Sequence, residues 1–167
     1  MLSRRSLLVG TSAIIVGGGA MGLFSKSAAS AAADEHFEVT HSDAEWRQRL
    51  TPEQYHVLRE HGTERSGSSP LDREKRAGTF ACAGCDSPLF RSQDKFESGT
   101  GWPSFTQPIE GAVETSQDRS FFMVRTEVHC HRCGGHLGHV FEDGPPPTGL
   151  RYCMNGLAMT FEPEKTS

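Results

Sequence analysis

The chain has 167 residues and a mass of 18.3 kDa, room for one ordinary domain. With 35% hydrophobic and 23% charged residues it falls among soluble globular chains, which excludes a disordered protein and a bundle of membrane spans. Its 18 glycines and 9 prolines favour short strands between turns over long helices.

The formal charge of −4 hides an asymmetry. Residues 1–33 hold Arg4, Arg5 and Lys26 and no acid; without them 14 basic residues face 21 acidic ones, a net of −7. That balance argues against nucleic acid as a partner, because phosphate neutralisation supplies most of such affinity. The same 33 residues have the layout of an export signal: a basic start, an uncharged run from Ser6 to Ser25, and small residues up to Ala33. Arg4-Arg5 after Ser3, with Leu7-Leu8 behind, resembles a twin-arginine signal, and the glycines within the run weaken the alternative of a retained membrane anchor. Cleavage is expected near Ala33, giving a periplasmic or otherwise exported domain over residues 34–167. The resemblance implies passage in the folded state, so that a metal could be loaded and thiols buried before an oxidising compartment is met.

Ser42-Asp43-Ala44-Glu45 has capping-box spacing and predicts a helix through about Leu50. Thr51 as cap, Pro52 in the first turn and Gln54 predict a second, ended by Gly62. Residues 62–78 are polar and predict a long arm. Strands are expected at Gly78–Ala81, Pro88–Phe90, Ser120–Val128, His139–Phe141 and Gly156–Phe161. In the third, Phe122, Val124, Thr126 and Val128 alternate with Met123, Arg125 and Glu127, the period of a half-buried strand. Gly144-Pro145-Pro146-Pro147 predicts a stiff loop outside any sheet. The expected domain is mainly β and antiparallel, with short helices at its amino-terminal end.

Cys82-Ala-Gly-Cys85 and Cys130-His-Arg-Cys133 are two Cys-x-x-Cys knuckles, a pattern that gathers four thiolates around one structural zinc ion. Disulfides, or one redox-active pair, are the rival readings. Four thiolates close such a site, which leaves His129 and His131 as expected surface residues. Cys153, the fifth cysteine, has no partner. On a strand, Arg151, Cys153 and Asn155 would share one face, and the guanidinium would favour a thiolate, against the plain alternative of a small buried hydrophobe.

Four strings then converge: Phe80-Ala-Cys-Ala-Gly-Cys85, Ser98-Gly-Thr-Gly-Trp-Pro-Ser-Phe105, Cys133-Gly-Gly-His-Leu-Gly-His-Val-Phe-Glu-Asp-Gly-Pro145 and Arg151-Tyr-Cys-Met-Asn155. Together they resemble the methionine-R-sulfoxide reductase B family over roughly residues 43–163. The resemblance implies two antiparallel sheets, a structural Zn2+ on Cys82, Cys85, Cys130 and Cys133, and reduction of R-configured methionine sulfoxide in proteins. It further implies a thioredoxin-like reductant. Cys153 would be the nucleophile and form a sulfenic acid. His136, His139 and Asn155 would form the polar network around the sulfoxide oxygen. Trp102 and Phe141 would hold the S-methyl group, Arg151 would depress the thiol pKa, and Asp143 would orient the histidine side. The expected form is a monomer that meets a membrane only for export.

Two positions depart from the family. Many members have a resolving cysteine where this chain has Thr100, so an external thiol is expected to reduce the sulfenic acid. Gly156 stands where serine is usual and predicts a looser backbone beside Asn155. The rival functions are a non-catalytic zinc-ribbon binding module, which leaves Cys153 unexplained, and a general thiol oxidoreductase.

Overall fold

The computed structural model describes residues 37–165; the expected export signal of residues 1–33 lies outside the described residues. Two helices come first, α1 (Asp43–Arg49) and α2 (Pro52–Glu60). Each is closed by a reciprocal capping box, Ser42 with Glu45 and Thr51 with Gln54. Such caps satisfy backbone donors that a short helix cannot pair internally, and each contributes about 1 kcal/mol. The end of α2 differs from expectation: His61 takes the left-handed conformation (φ 54°), and Gly62 is needed because the His56 ring packs where a Cβ would stand. Trp46, Tyr55, Val57 and Leu58 are buried, and α2 rests on the strand and turn that carry the site described below.

Among the described residues nine strands follow, in two antiparallel sheets. The smaller has the order β2 (Pro88–Arg91), β1 (Gly78–Cys82), β9 (Met159–Pro163). The larger has the order β3 (Lys95–Phe96), β4 (Ser104–Phe105), β8 (Arg151–Met154), β7 (His136–Phe141), β6 (Arg125–Cys130), β5 (Val113–Asp118). Three fully buried rings lock the sheets together. Phe90 of β2 stacks on Phe105 of β4 at 4.3 Å between centroids, and Phe80 of β1 meets Phe105 edge-on at 5.0 Å. Truncating one such ring to alanine costs about 3–5 kcal/mol.

The strand expected over Ser120–Val128 is broken. Asp118 accepts the Ser120 amide (2.8 Å), a single-turn 3-10 helix forms over Ser120–Phe122, and β6 begins only at Arg125. The local bond wins because Asp118 offers the backbone an alternative to the ladder. The alternation fails accordingly: Phe122, Val124 and Thr126 are exposed, while Glu127 and Val128 are both buried in a strand covered on both faces. The last expected strand also starts later, because Gly156–Ala158 is a 3-10 turn before β9. His129, expected at the surface, is buried at 4% exposure, whereas His131 is exposed. The Gly144–Pro147 loop lies outside both sheets, as expected. Among the described residues no helix is long and apolar enough to cross a membrane.

Candidate active site and metal centre

The two knuckles meet at the ends of β1 and β6, one strand from each sheet. Each turn closes alike: the carbonyl of Cys82 accepts the Asp86 amide at 2.9 Å, and that of Cys130 accepts the Gly134 amide at 2.8 Å. Sulfur separations are 3.7 Å for Cys82–Cys133 and 3.6 Å for Cys85–Cys130, and all four sulfurs lie within 4.8 Å of one another. A tetrahedron of Zn–S bonds about 2.3 Å long has edges of about 3.8 Å, so this donor set fits zinc. All five cysteines are free thiols, which removes the disulfide reading for this structure. Three of the four clustered sulfurs belong to buried residues, and an ion there would tie the two sheets together.

The fifth thiol lies elsewhere. β8 runs between β4 and β7, and Cys153 pairs in register with Ser104 on one side and His139 on the other. It lines a cavity of about 270 Å3 whose walls also include Trp102, His136, His139, Phe141 and Asn155. Six of the eight residues singled out from the sequence therefore share one cavity. Arg151 and Asp143 do not line it.

Two imidazoles face the thiol from β7, and each is held by a carboxylate that sequence reasoning did not assign to the site. His136 Nδ1 lies 2.6 Å from Glu127 Oε1, and His139 Nε2 lies 2.8 Å from Asp118 Oδ2. A ring nitrogen facing a carboxylate carries the hydrogen, so the tautomer of each neutral ring is set. Glu127 also accepts from His61 (2.9 Å) and Ser116 (2.8 Å). Burial alone would raise its carboxyl pKa, but His136, His61 and Ser116 together hold it well below the carboxylate range. Asp118 is held low by the Ser120 amide and hydroxyl and by His139, with Arg125 2.6 Å away. Burial pushes the His139 imidazole down, against the pull of Asp118.

Asp143 does not orient the histidines. Both of its oxygens are engaged by Arg151, at 2.8 and 2.9 Å, and the guanidinium lies 4.4 Å over the Phe141 ring. This pair stiffens the aromatic wall and divides the arginine's charge. Burial therefore dominates at Cys153 and pushes the thiol above its ordinary value, while the Thr100 hydroxyl and then Arg151 pull it back. Arg151 thus lowers the thiol pKa as expected, but burial outweighs it. Thr100 Oγ1 stands 3.9 Å from Cys153 Sγ, so a side chain at this position adjoins the thiol.

Asn155 is 4% exposed and largely committed to structure: its amide oxygen accepts from the Thr63 hydroxyl and the Glu64 amide, both at 3.0 Å, and its Nδ2 donates to the Leu137 carbonyl at 3.0 Å. One N–H remains for the cavity. Trp102 is fixed by its indole N–H, which donates to the Glu64 carbonyl at 3.2 Å. The Glu64 carboxylate, itself buried, accepts the amides of Gly156 (2.6 Å) and Leu157 (3.2 Å), and burial raises its pKa. The looseness expected at Gly156 is absent. Its amide is pinned, and the Ser69 side chain fills the space that a Cβ would need. The first part of the polar arm expected over residues 62–78, together with His61, is thus the strap that fixes the far wall, running from 61 to 69.

The set combines a sulfur nucleophile, two imidazoles of fixed tautomer and an aromatic wall around one small cavity. Comparison with known proteins agrees in extent. The SelR domain family model matches residues 50–163. A protein of Agrobacterium fabrum called "Peptide methionine sulfoxide reductase MsrB" is 59% identical over 127 residues, covering 75% of this chain and 94% of its own. Proteins of the same name from Leptospira interrogans and Methanosarcina barkeri are 52% identical over 130 residues and 56% identical over 128. The first pairing covers 77% of this chain and 99% of the relative, the second 76% and 90%. The matched span holds every residue of the cavity and both cysteine knuckles, and the chain belongs to the SelR domain family.

Proposed function

We propose that this protein is a peptide-methionine (R)-S-oxide reductase, and that residues 34–167 form its one catalytic domain. The observation that carries the reading is the meeting of Cys153, His136, His139 and an aromatic wall in a single cavity, in a chain whose relatives bear the reductase name. A sulfoxide sulfur is electrophilic, the more so when its oxygen accepts a hydrogen bond. The cavity-facing nitrogen of His136 or His139, which carries no hydrogen in the neutral ring, takes the Cys153 proton, and the imidazolium so formed donates it to the sulfoxide oxygen while the thiolate attacks sulfur. The oxygen passes to cysteine: thiol plus sulfoxide gives sulfenic acid plus thioether, with two electrons moving from the cysteine sulfur to the methionine sulfur. Trp102 and Phe141 supply the apolar face for the S-methyl group. Asn155 holds the loop after the nucleophile and offers its remaining N–H, and Arg151, steadied by Asp143, supports the thiolate from outside the cavity.

With Thr100 beside Cys153, the sulfenic acid is reduced by an external dithiol of the thioredoxin type, which leaves as a disulfide while water forms. Cys82, Cys85, Cys130 and Cys133 hold one zinc ion, which when bound supplies a cross-link between sheets and no reacting ligand. A non-catalytic zinc ribbon would have no use for the cavity. The enzyme acts as a monomer on oxidised proteins in the periplasm, after export directed by the twin-arginine signal of residues 1–33; that placement is supported by the sequence of the segment.

The test is turnover of the two separated diastereomers of a blocked methionine-sulfoxide peptide with dithiothreitol. Consumption of the R form alone, lost in Cys153→Ser, is expected. Turnover that survives Cys153→Ser, or preference for the S form, overturns the assignment. For location, export of the native chain should stop when Arg4 and Arg5 are both changed to lysine; unaltered export refutes the twin-arginine route.

A further inference from the structure

Among the described residues two groups of metal-capable side chains hold their donor atoms within 4.8 Å of one another: the four cysteines, and His61 with Glu127 and His136. The second group offers two imidazoles and one carboxylate. Both Nδ1 atoms converge on the same carboxylate oxygen, His136 at 2.6 Å and His61 at 2.9 Å from Glu127 Oε1. The other oxygen, Oε2, accepts the Ser116 hydroxyl at 2.8 Å, the kind of support that orients a ligating carboxylate. His136 and Glu127 are buried, whereas the His61 side chain is 65% exposed; both histidines line the catalytic cavity. Holding His136 in place needs only Glu127, and the solvent-screened bond to His61 adds little stability. Even so, the chain turns into the left-handed region at His61, and its ring lies 5.2 Å from that of His136.

We infer that His61, Glu127 and His136 bind a second divalent ion of the first transition row, such as Zn2+ or Co2+, and that this ion suppresses turnover. The binding stands on the donor set alone; the effect on turnover rests on the reductase reading above. Imidazole and carboxylate together suit Zn2+, Co2+, Ni2+ and Cu2+ over Mg2+ and Ca2+, which take oxygen ligands. Ligand bonds of about 2.0–2.1 Å set tetrahedral donors about 3.3 Å apart, so the contacts of 2.6 and 2.9 Å need to open by under about 1 Å. The exposed His61 ring can make that movement, and the cavity gives water access to the remaining position. Unlike the closed cluster of four cysteines, such a site exchanges its ion reversibly. The consequence falls on His136. With Nδ1 on the ion, the ring hydrogen moves to Nε2, the nitrogen that faces away from Glu127, and Nε2 can no longer take the Cys153 proton. The Glu127 charge is at the same time engaged by the ion and is lost to the imidazolium.

The experiment titrates Co2+, in the absence of oxygen, into reduced native protein that already holds one zinc per chain, and follows absorption and heat. One further equivalent should bind, with the d–d bands of a nitrogen and oxygen site and no sulfur-to-cobalt charge-transfer band. His61→Asn removes one imidazole while asparagine tolerates the left-handed backbone. It should weaken binding at least about tenfold, because even a residue that only supports a ligand is worth about 10–100-fold. Cys153→Ser should bind the ion as the wild type does. Turnover is read without dithiothreitol, which chelates the ion: reduced enzyme is mixed with blocked methionine-R-sulfoxide, and the rate of methionine formation in a single turnover is measured. Saturating Co2+ or Zn2+ should slow this step at least about tenfold, the loss of a positioned base. Half the effect should come at the concentration that half-fills the site, and His61→Asn should need at least about tenfold more ion for the same loss. No further binding, or undiminished binding in His61→Asn, overturns the site. So does a charge-transfer band that disappears in Cys153→Ser, which would put the ion on the thiol. Binding that leaves the single turnover unchanged overturns the suppression. Failure of the ion-free wild type to form methionine would instead sink the reductase reading, while the titration would still decide the site.

Discussion

Replacing Glu127 by glutamine exchanges one oxygen for an amide nitrogen, and removes one negative charge, at the point where His136, His61 and Ser116 converge. If Glu127 acts only by filling space, little should follow. If it holds His136 in position and stabilises the charge that ring bears as it donates to the sulfoxide oxygen, the loss falls on the chemical step. A hydrogen bond to a charged group is worth about 1.5–3 kcal/mol and a neutral one about 0.5–1.5, so the 2.6 Å contact loses about 1.5 kcal/mol. That is about tenfold in rate. The bond to His61 adds little, because that ring is 65% exposed and screened by solvent. Glu127→Gln should therefore lower kcat about tenfold while KM stays within about twofold, measured by chromatographic conversion of a sulfoxide peptide with dithiothreitol. Ser116→Ala removes another hydrogen bond to the same carboxylate without altering its charge, and should leave kcat within about twofold. The carboxyl is held below its ordinary value of 4.5, so its ionised form contributes stability above that pH, which is lost as the solution is acidified below it. The stability gap between wild type and Glu127→Gln should accordingly narrow in acid. Wild-type kcat in the folded glutamine variant, or an equal loss in Ser116→Ala, would refute the positioning role.

Thr100→Cys puts a thiol where a hydroxyl now stands 3.9 Å from Cys153. One equivalent of sulfoxide should then leave an internal disulfide, seen by intact mass as a loss of two hydrogens, where the wild type gains one oxygen. Arg151→Met removes a cation that opposes the effect of burial on Cys153, so the thiolate should form at higher pH. Iodoacetamide labelling of Cys153, followed against pH, should shift to the alkaline side and be several-fold slower at neutral pH; an unmoved curve would exclude the arginine's influence. Purified protein should contain one zinc per chain, and Cys130→Ser should lose both the metal and a cooperative thermal transition; melting at the wild-type temperature without metal would show that the sheets need no clamp.

What was legible in the sequence was chemistry confined to short stretches. Ser42 with Glu45, Thr51 with Gln54, and the two knuckles each complete their interactions within four residues, so their spacing alone fixes their geometry. The strands that escaped notice are those that exist only through pairing. Lys95–Phe96 and Ser104–Phe105 are two residues long, and Val113–Asp118 is almost wholly polar. Their register comes from neighbours up to tens of residues away. The same distinction divides the site. Cys153 stood out as an unpaired thiol, and His136 and His139 lie in a distinctive string. Their supports, by contrast, come from other elements, Glu127 from β6 and Asp118 from β5. Reading residues 120–128 as one strand put Glu127 on the outer face and hid its role; a break at Asp118, a residue that readily caps turns, was the signal available.

Glu64 shows why the strap from His61 to Ser69 belongs to the active site even though it offers no reactive group there. Its carboxylate reaches across 92 residues of chain to the Gly156 amide, its own amide donates to Asn155, and its carbonyl receives the Trp102 indole. One residue therefore sets the aromatic wall and the segment just after the nucleophile at the same time. A buried carboxylate is costly unless its acceptor capacity is filled, and here backbone amides fill it. Because those amides belong to Gly156 and Leu157, the loop that follows Cys153 cannot drift without leaving a buried charge unsolvated. Gly156 suits this arrangement, because a Cβ there would collide with the Ser69 side chain. Ser69 occupies that volume from the strap side, so packing is completed by a residue far away in sequence. The rigidity of this site thus comes from the strap together with the β-sheet floor.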